Sequence, residues 1–394
     1  MLMKRWLALR GFAVILLTAL PSCSLTVTPT YDAPTATPAI LTTIAPSSTP
    51  PFVSLEPPLA LVGRPQGKLA VANIVDTVSG EIRQTLTLSN LDLAYGWSNS
   101  TVVQQYVFYQ TPDSGRRLGM NGDVLDLPFL EMSDQFLPSP DGSQVAWSGC
   151  DWVGDPGAAC RTWIQIISVI GGTGKLLVDR TLDEPVQLIP VHWSSDERYL
   201  YFSSFVPIAE GGWFGGYSGL ERVDLDTGDF IDILQDRYFF DVAFSPDDTL
   251  LAFAAPPTQP GALPQIVLHS IGEGQDLQAG NLESRSQAGD LIWSPDSRNI
   301  LYTMVSGGMP NETFAIVDLD VGTFSQRVLI RDGQQHPRTK AWLSARQALI
   351  ADDDSRIAWT LDVATGQKSF LANGQFLGLV PAEFVLPSPN SSSP

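Results

Sequence analysis

Three histidines, His192, His269 and His336, are the chain's whole supply of imidazole, and no motif spacing relates them. One precedes Trp193, one ends an apolar run and one lies in a polar connection, so each reads as structural rather than as a metal ligand or general base. Ser218 in GGYSGL (215–220) misses the nucleophile-elbow pattern by one glycine position. GGTGK (171–175) lacks the first glycine of a phosphate loop, and Leu176 stands where Ser or Thr would hold Mg²⁺, so it reads as a turn. Asp352-Asp353-Asp354 supplies the oxygen ligands that Ca²⁺ prefers, but a solvated acidic turn accounts for it as well. No catalytic residue, cofactor or firm metal site emerges, and non-enzymatic work is favoured.

Carboxylates alone suffice for glycoside chemistry, so a hydrolase or lyase with two acids in a central funnel is the alternative. Asp141, Asp196, Asp247 and Asp296 recur at one position of a repeat, which marks them as turn formers. Cys150 and Cys160, in CDWVGDPGAAC, are expected to form a disulfide, because Gly154, Pro156 and Gly157 let the chain turn back between them. Asp and Glu total 42 against 23 Lys and Arg, a formal charge of −19. Such a surface repels phosphates and excludes nucleic acid as a partner.

The amino terminus reads as an address. Lys4, Arg5 and Arg10 accompany an apolar run from Gly11 to Leu20, and Leu20-Pro21-Ser22-Cys23 follows at once. This resembles a bacterial lipoprotein lipobox. The resemblance implies cleavage before Cys23 and lipidation of that residue, with an ordinary cleaved signal or an uncleaved anchor as alternatives. Loss of residues 1–22 takes away those three cations and moves the formal charge from −19 to −22. No other apolar run approaches the ~18 residues that a membrane helix needs. Residues 23–66 are rich in Thr, Pro, Ser and Ala, with little charge, and are expected to be an extended, disordered stalk. Residues 388–394 (SPNSSSP) are expected to be a disordered tail.

The elements that must position any site lie between, in residues 67–387. FLPSPDGSQVAW (136–147), VHWSSDERYLYF (191–202), VAFSPDDTLLAF (242–253) and LIWSPDSRNILY (291–302) align as apolar run, tight turn and alternating apolar run. Their turn aspartates step by 55, 51 and 49 residues, and β patterning at a period near 50 signals a propeller. Degenerate copies begin at Tyr95 and Trp342. A second series of hairpins carries Gly80, Gly115, Gly174, Gly228, Gly274, Gly322 and Gly366 at its turns. If the first series joins strands A and B of a blade and the second joins C and D, seven C–D hairpins flank six A–B hairpins. An unmatched C–D unit (68–89) and an unmatched terminal A–B segment (374–387) would then share one blade. The expectation is an all-β propeller of seven four-stranded blades closed by both chain ends, with six longer blades as the alternative.

The Ser-Pro-Asp turn between an aromatic and an apolar strand resembles the TolB-type propeller repeat, which also builds the propeller of prolyl-oligopeptidase-family peptidases. That resemblance implies protein-binding or scaffolding work and supplies no universal catalytic residues. The B–C connections are long in blades 2 to 4 and, with that of blade 5, emerge on one face. Trp152 lies in one, and Trp213, Phe214 and Tyr217 lie in SFVPIAEGGWFGGYSG (204–219). These aromatics either contact a partner or pack over the blade top. The reading is of a lipid-anchored propeller on the extracytoplasmic side of a bacterial membrane, binding an envelope protein or a cell-wall glycan.

Overall fold

The computed structural model describes residues 57–384 apart from 67–68, 89–99, 112–114, 128–135, 154–158, 171, 183–185, 207–212, 258, 260–261 and 309–310. Residues 1–22, Cys23, the stalk up to residue 56 and the tail from residue 388 lie outside the described residues.

Strands run in chain order. The first three are β1 (Leu59–Gln66), β2 (Leu69–Asp76) and β3 (Ile82–Leu88). Blade 1 comprises β4 (Thr101–Val103), β5 (Tyr106–Gln110), β6 (Gly115–Gly119) and β7 (Val124–Leu127). Blade 2 comprises β8 (Phe136–Pro138), β9 (Gln144–Val153), β10 (Ala159–Ser168) and β11 (Lys175–Leu182). Blade 3 comprises β12 (Gln187–Trp193), β13 (Tyr199–Val206), β14 (Gly216–Asp224) and β15 (Phe230–Phe239). Blade 4 comprises β16 (Val242–Phe244), β17 (Leu250–Ala255), β18 (Gln265–Ser270) and β19 (Gln275–Asn281). Blade 5 comprises β20 (Ser286–Trp293), β21 (Asn299–Ser306), β22 (Thr313–Asp320) and β23 (Gln326–Asp332). Blade 6 comprises β24 (Arg338–Trp342), β25 (Gln347–Asp352), β26 (Ile357–Asp362) and β27 (Gln367–Asn373), and β28 (Gln375–Val380) is last.

These strands form seven antiparallel four-stranded sheets, the expected seven-bladed propeller. First strands of successive blades touch, β20 with β24, β24 with β28 and β28 with β4, so they line the axis of the ring. Strands B and C are the most buried of a blade. In blade 5, Ile300–Val305 and Phe314–Leu319 are buried throughout. The outer strand β15 is mostly exposed. The core is therefore a set of layers between blades, such as Ile164 and Val178 of blade 2 against Leu200 and Phe202 of blade 3.

Both termini share blade 7, whose order is β28-β1-β2-β3. The division differs from the expected two strands and two. Residues 59–66, assigned by composition to the stalk, form β1, and only β28 comes from the carboxyl end. Pro57, Pro58 and Pro65 bias that stretch toward a spacer reading, yet Leu59, Ala60, Leu61 and Val62 are all buried. The prolines sit before the strand and near its end, where they break no central ladder.

Several turn assignments also shift, and in blade 2 the left-handed residue is Gly172, at φ 118°, rather than Gly174. Gly115 opens β6, and the C–D turn of blade 1 runs through Asn121-Gly122, with Gly122 at φ 90°. In blade 5 the left-handed turn residue is Phe324, at φ 57°, rather than Gly322. The Phe324 N–H bonds Asp320 O just as the Gly228 N–H bonds Asp224 O. Phe324 packs against the core layer between blades 4 and 5, which offsets its conformational cost. In blade 1, Thr101–Val103 forms the innermost strand, and the A–B turn falls at Gln104-Gln105.

The A–B turns repeat one hydrogen-bonded unit. The buried hydroxyls of Ser139, Ser194, Ser245 and Ser294 donate to Asp141, Asp196, Asp247 and Asp296 at 2.6, 2.6, 2.7 and 2.7 Å. Each serine oxygen also accepts a backbone N–H five residues on, at Gln144, Tyr199, Leu250 and Asn299. These aspartates are structural turn formers, as their recurrence predicts. A tryptophan at the end of the first strand joins blades. Trp193 Nε1 donates to Leu137 O, Trp293 Nε1 to Ala243 O and Trp342 Nε1 to Ile292 O, at 3.0, 2.9 and 3.2 Å.

Candidate functional site

Residues 213–215, the described end of the long B–C connection of blade 3, meet blades 5 and 6. The Trp213 N–H donates to Gln287 Oε1 of β20 at 2.8 Å. Its ring meets Phe314 of β22 edge-on at 5.1 Å and lies 5.9 Å from His336. Phe214 is buried on Gly289, where any Cβ would collide with the ring. Tyr217 stacks on Phe239 at 5.4 Å and is half-buried, and burial raises its hydroxyl above the ordinary value. Phe214 therefore anchors the crossing connection instead of presenting itself to solvent, whereas Trp213 keeps part of its surface. Nothing is described for the Trp152 side chain.

Beneath the connection lies a group of charges that the motif search did not single out. Arg338 Nη2 donates to Trp213 O at 3.3 Å, and Arg338 Nη1 lies 3.4 Å from Asp290 Oδ2. The guanidinium is also 5.1 Å from the Phe214 ring centroid, a cation–π distance. Asp290 has φ 51° at a break in register between β20 and β21, a bulge that re-aims its side chain. Asp241, just before β16, accepts the N–H of Val242 at 2.8 Å and of Leu291 in blade 5 at 2.7 Å. Burial pushes its carboxyl from 3.8 up to about 7; the Leu291 N–H opposes the rise and the Asp290 charge adds to it.

Blade 6 contributes His336, Arg338 and Lys340 at alternate positions of HPRTKAW, each half-buried and each facing a carboxylate. His336 Nδ1 lies 2.7 Å from Asp354 Oδ2, and its ring stacks on Phe314 at 4.4 Å. Lys340 Nζ lies 2.7 Å from Asp353 Oδ2. Asp352 is buried and accepts the N–H groups of Asp354, Ser355 and His336. Burial would raise its carboxyl, but those bonds outweigh it and hold the group below its ordinary value. The acidic run is thus divided among a turn, a lysine and a histidine. No cluster of three metal-ligating side chains occurs among the described residues.

The other two histidines also meet carboxylates. His192 Nε2 is 2.8 Å from Asp248 Oδ1, with its ring stacked on Phe244 at 4.0 Å. Burial would raise Asp248, but the bonds from His192 and the Ser195 N–H prevail and lower it. His269 is buried, with Nδ1 2.9 Å from Asp276 Oδ1. Cys150 and Cys160 form the expected disulfide, between neighbouring strands β9 and β10 at a Cα separation of 5.7 Å.

Sequence reasoning missed Asp241, Asp290 and Arg338. The alternation of His, Arg and Lys on an inner strand of an acidic chain was the signal within reach. The acid pair was out of reach, because its members come from two blades about 50 residues apart.

No protein-family model matches the sequence, and no curated protein matches it. Solved structures do. Hydrazine synthase of Kuenenia stuttgartiensis has a TM-score of 0.51 at 14% identity, covering 70% of this chain and 78% of that one. An oligogalacturonate lyase in complex with manganese has a TM-score of 0.51 at 14% identity, covering 80% and 85%. A Bacteroides uniformis protein described as a 6-phosphogluconolactonase has a TM-score of 0.52 at 13% identity, covering 82% and 99%. At such identities the likeness concerns architecture alone, and what this chain shares with these proteins is the β-propeller fold.

Proposed function

We propose that the chain is a membrane-anchored, extracytoplasmic β-propeller lipoprotein that binds an envelope protein or a cell-wall glycan through its B–C face. The observation that carries this reading is the crossing connection of blade 3. It brings the half-buried Trp213 beside His336 and Arg338, an aromatic contact residue with polar neighbours. The lipobox-like Leu20-Pro21-Ser22-Cys23 and the Thr/Pro-rich stretch after it support the anchor. Two measurements test the proposal. A palmitate label should enter the wild-type chain and fail to enter Cys23→Ala. Envelope fractions passed over the immobilised protein should leave a bound species that Trp152→Ala/Trp213→Ala loses. Equal labelling would remove the anchor, and equal capture would remove this face.

A second reading is a carbohydrate-active hydrolase or lyase. It is favoured by one observation, the raised carboxyl of Asp241 beside the bulge-borne Asp290. A glycan panel incubated with wild type and Asp241→Asn discriminates: turnover lost in the variant supports it, and no turnover by wild type removes it.

A further inference from the structure

On the opposite face, a cavity of about 280 Å³ opens in blade 1 between the A–B turn and the C–D turn, lined in part by Gln105, Tyr106, Arg117, Asn121 and Asp123. Arg117 is the arginine of its wall, and most arginines of the ring are already engaged. Arg83, Arg116, Arg161 and Arg198 each bridge to an aspartate. Arg117 has no ion pair among the described residues; its guanidinium lies 4.2 Å from the Tyr106 ring centroid. In a chain with 42 carboxylates, a guanidinium left without one at a cavity wall is set up for an anion brought from outside. The tyrosine holds the fork in place, so little side-chain freedom remains to be lost on binding.

The rest of the wall narrows the class of anion. Asn121 is fixed by Asp123, with Nδ2 2.5 Å from Asp123 Oδ2 and Oδ1 accepting the Asp123 N–H at 3.1 Å. Its place is kept by Gly119, where a Cβ would come within 2.5 Å of Asn121 Oδ1. Gln105 Nε2 donates to the Tyr106 hydroxyl at 3.2 Å, which holds a second amide at the rim. Asp123 is exposed and would repel a bare inorganic anion, while it would accept hydrogen bonds from hydroxyl groups. A neutral sugar would leave the guanidinium unused. The half-exposed Val124 offers an apolar wall. We propose that this cavity is a binding site for a sugar acid, a small molecule that carries one carboxylate for Arg117 and neighbouring hydroxyls for Asn121 and Asp123. The volume, just below the usual range of ligand pockets, limits the ligand to a single ring.

D-glucuronate is the probe, titrated calorimetrically into the full chain alongside glucose and acetate. Glucuronate should bind about tenfold or more tightly than either control. Arg117→Met, which keeps an apolar stem over Tyr106, should lose that margin, and Asp123→Asn should weaken glucuronate while tightening acetate, whose carboxylate Asp123 repels. If Arg117→Met does not unfold cooperatively, Asp123→Asn carries the test. No glucuronate binding, binding equal to glucose or acetate, or binding indifferent to both variants would overturn the proposal.

Discussion

Replacing Asp241 by Asn removes a titrating group while keeping its volume. In the folded chain burial raises this carboxyl from 3.8 to about 7, so the native state holds a proton that the unfolded state releases. Stability contributed by that proton is complete below pH 4 and drains away as pH rises to about 7. Between about pH 5 and pH 7 the loss is about 2 kcal/mol for a carboxyl sealed from water. Asp241 retains some solvent contact, and screening reduces the expected change to about 1–2 kcal/mol. Carboxylates held low, such as Asp76 at about 2, are ionised in both states across this window and do not contribute to it. The amide would turn a donor toward the Leu291 N–H that Asp241 now accepts, so the variant starts about 1–2 kcal/mol less stable at acid pH. Urea unfolding from about pH 5 to pH 8 should therefore show wild type losing its advantage as pH rises. Parallel pH profiles for the two proteins would refute the reasoning.

Trp293→Phe removes the indole donor to Ala243 O and should cost about 1 kcal/mol in urea unfolding; an unchanged midpoint would show that this inter-blade bond is not made. Gly289→Ala drives a methyl into Phe214 and should dislodge the crossing connection. Hydrogen exchange at the Trp213 N–H, now bonded to Gln287, should then accelerate about tenfold or more, and unaltered exchange would contradict the packing. Reduction of Cys150–Cys160, which closes a span of 10 residues, should cost roughly 3 kcal/mol, read as a lower calorimetric unfolding temperature in dithiothreitol. An identical temperature in the reduced protein would deny the bond a stabilising role.

The ring was legible in the sequence because each A–B turn solves the same local problem in the same way. A buried serine, a turn aspartate and flanking apolar strands leave a repeated signature at 139, 194, 245 and 294. Where local chemistry varies, reading fails. Phe324 occupies a left-handed position that glycine fills elsewhere, supported by tertiary packing that no local pattern reveals. The strand at 59–66 was hidden by the prolines on either side of its apolar centre. The candidate site was less legible still. His336, Arg338 and Lys340 stand together in sequence, but their partners come from separate segments. Asp290 lies in blade 5 and Asp353 and Asp354 after β25, while Asp241 approaches the site from blade 4. Of the four aromatics expected on B–C connections, Trp213 and Phe214 lie on one, whereas Trp152 falls within β9 and Tyr217 within β14. Only coordinates distinguish the buried Phe214 from the half-buried Trp213.

The whole arrangement depends on β28 sealing the ring against β1, with Leu59 opposite Val380 and Val62 opposite Phe376. Native-state hydrogen exchange, resolved by residue across 59–66 and 375–380, tests this seal most directly. Amides of both strands should be protected together and open only with global unfolding. Fast exchange of 375–380 while 69–76 stays protected would contradict it.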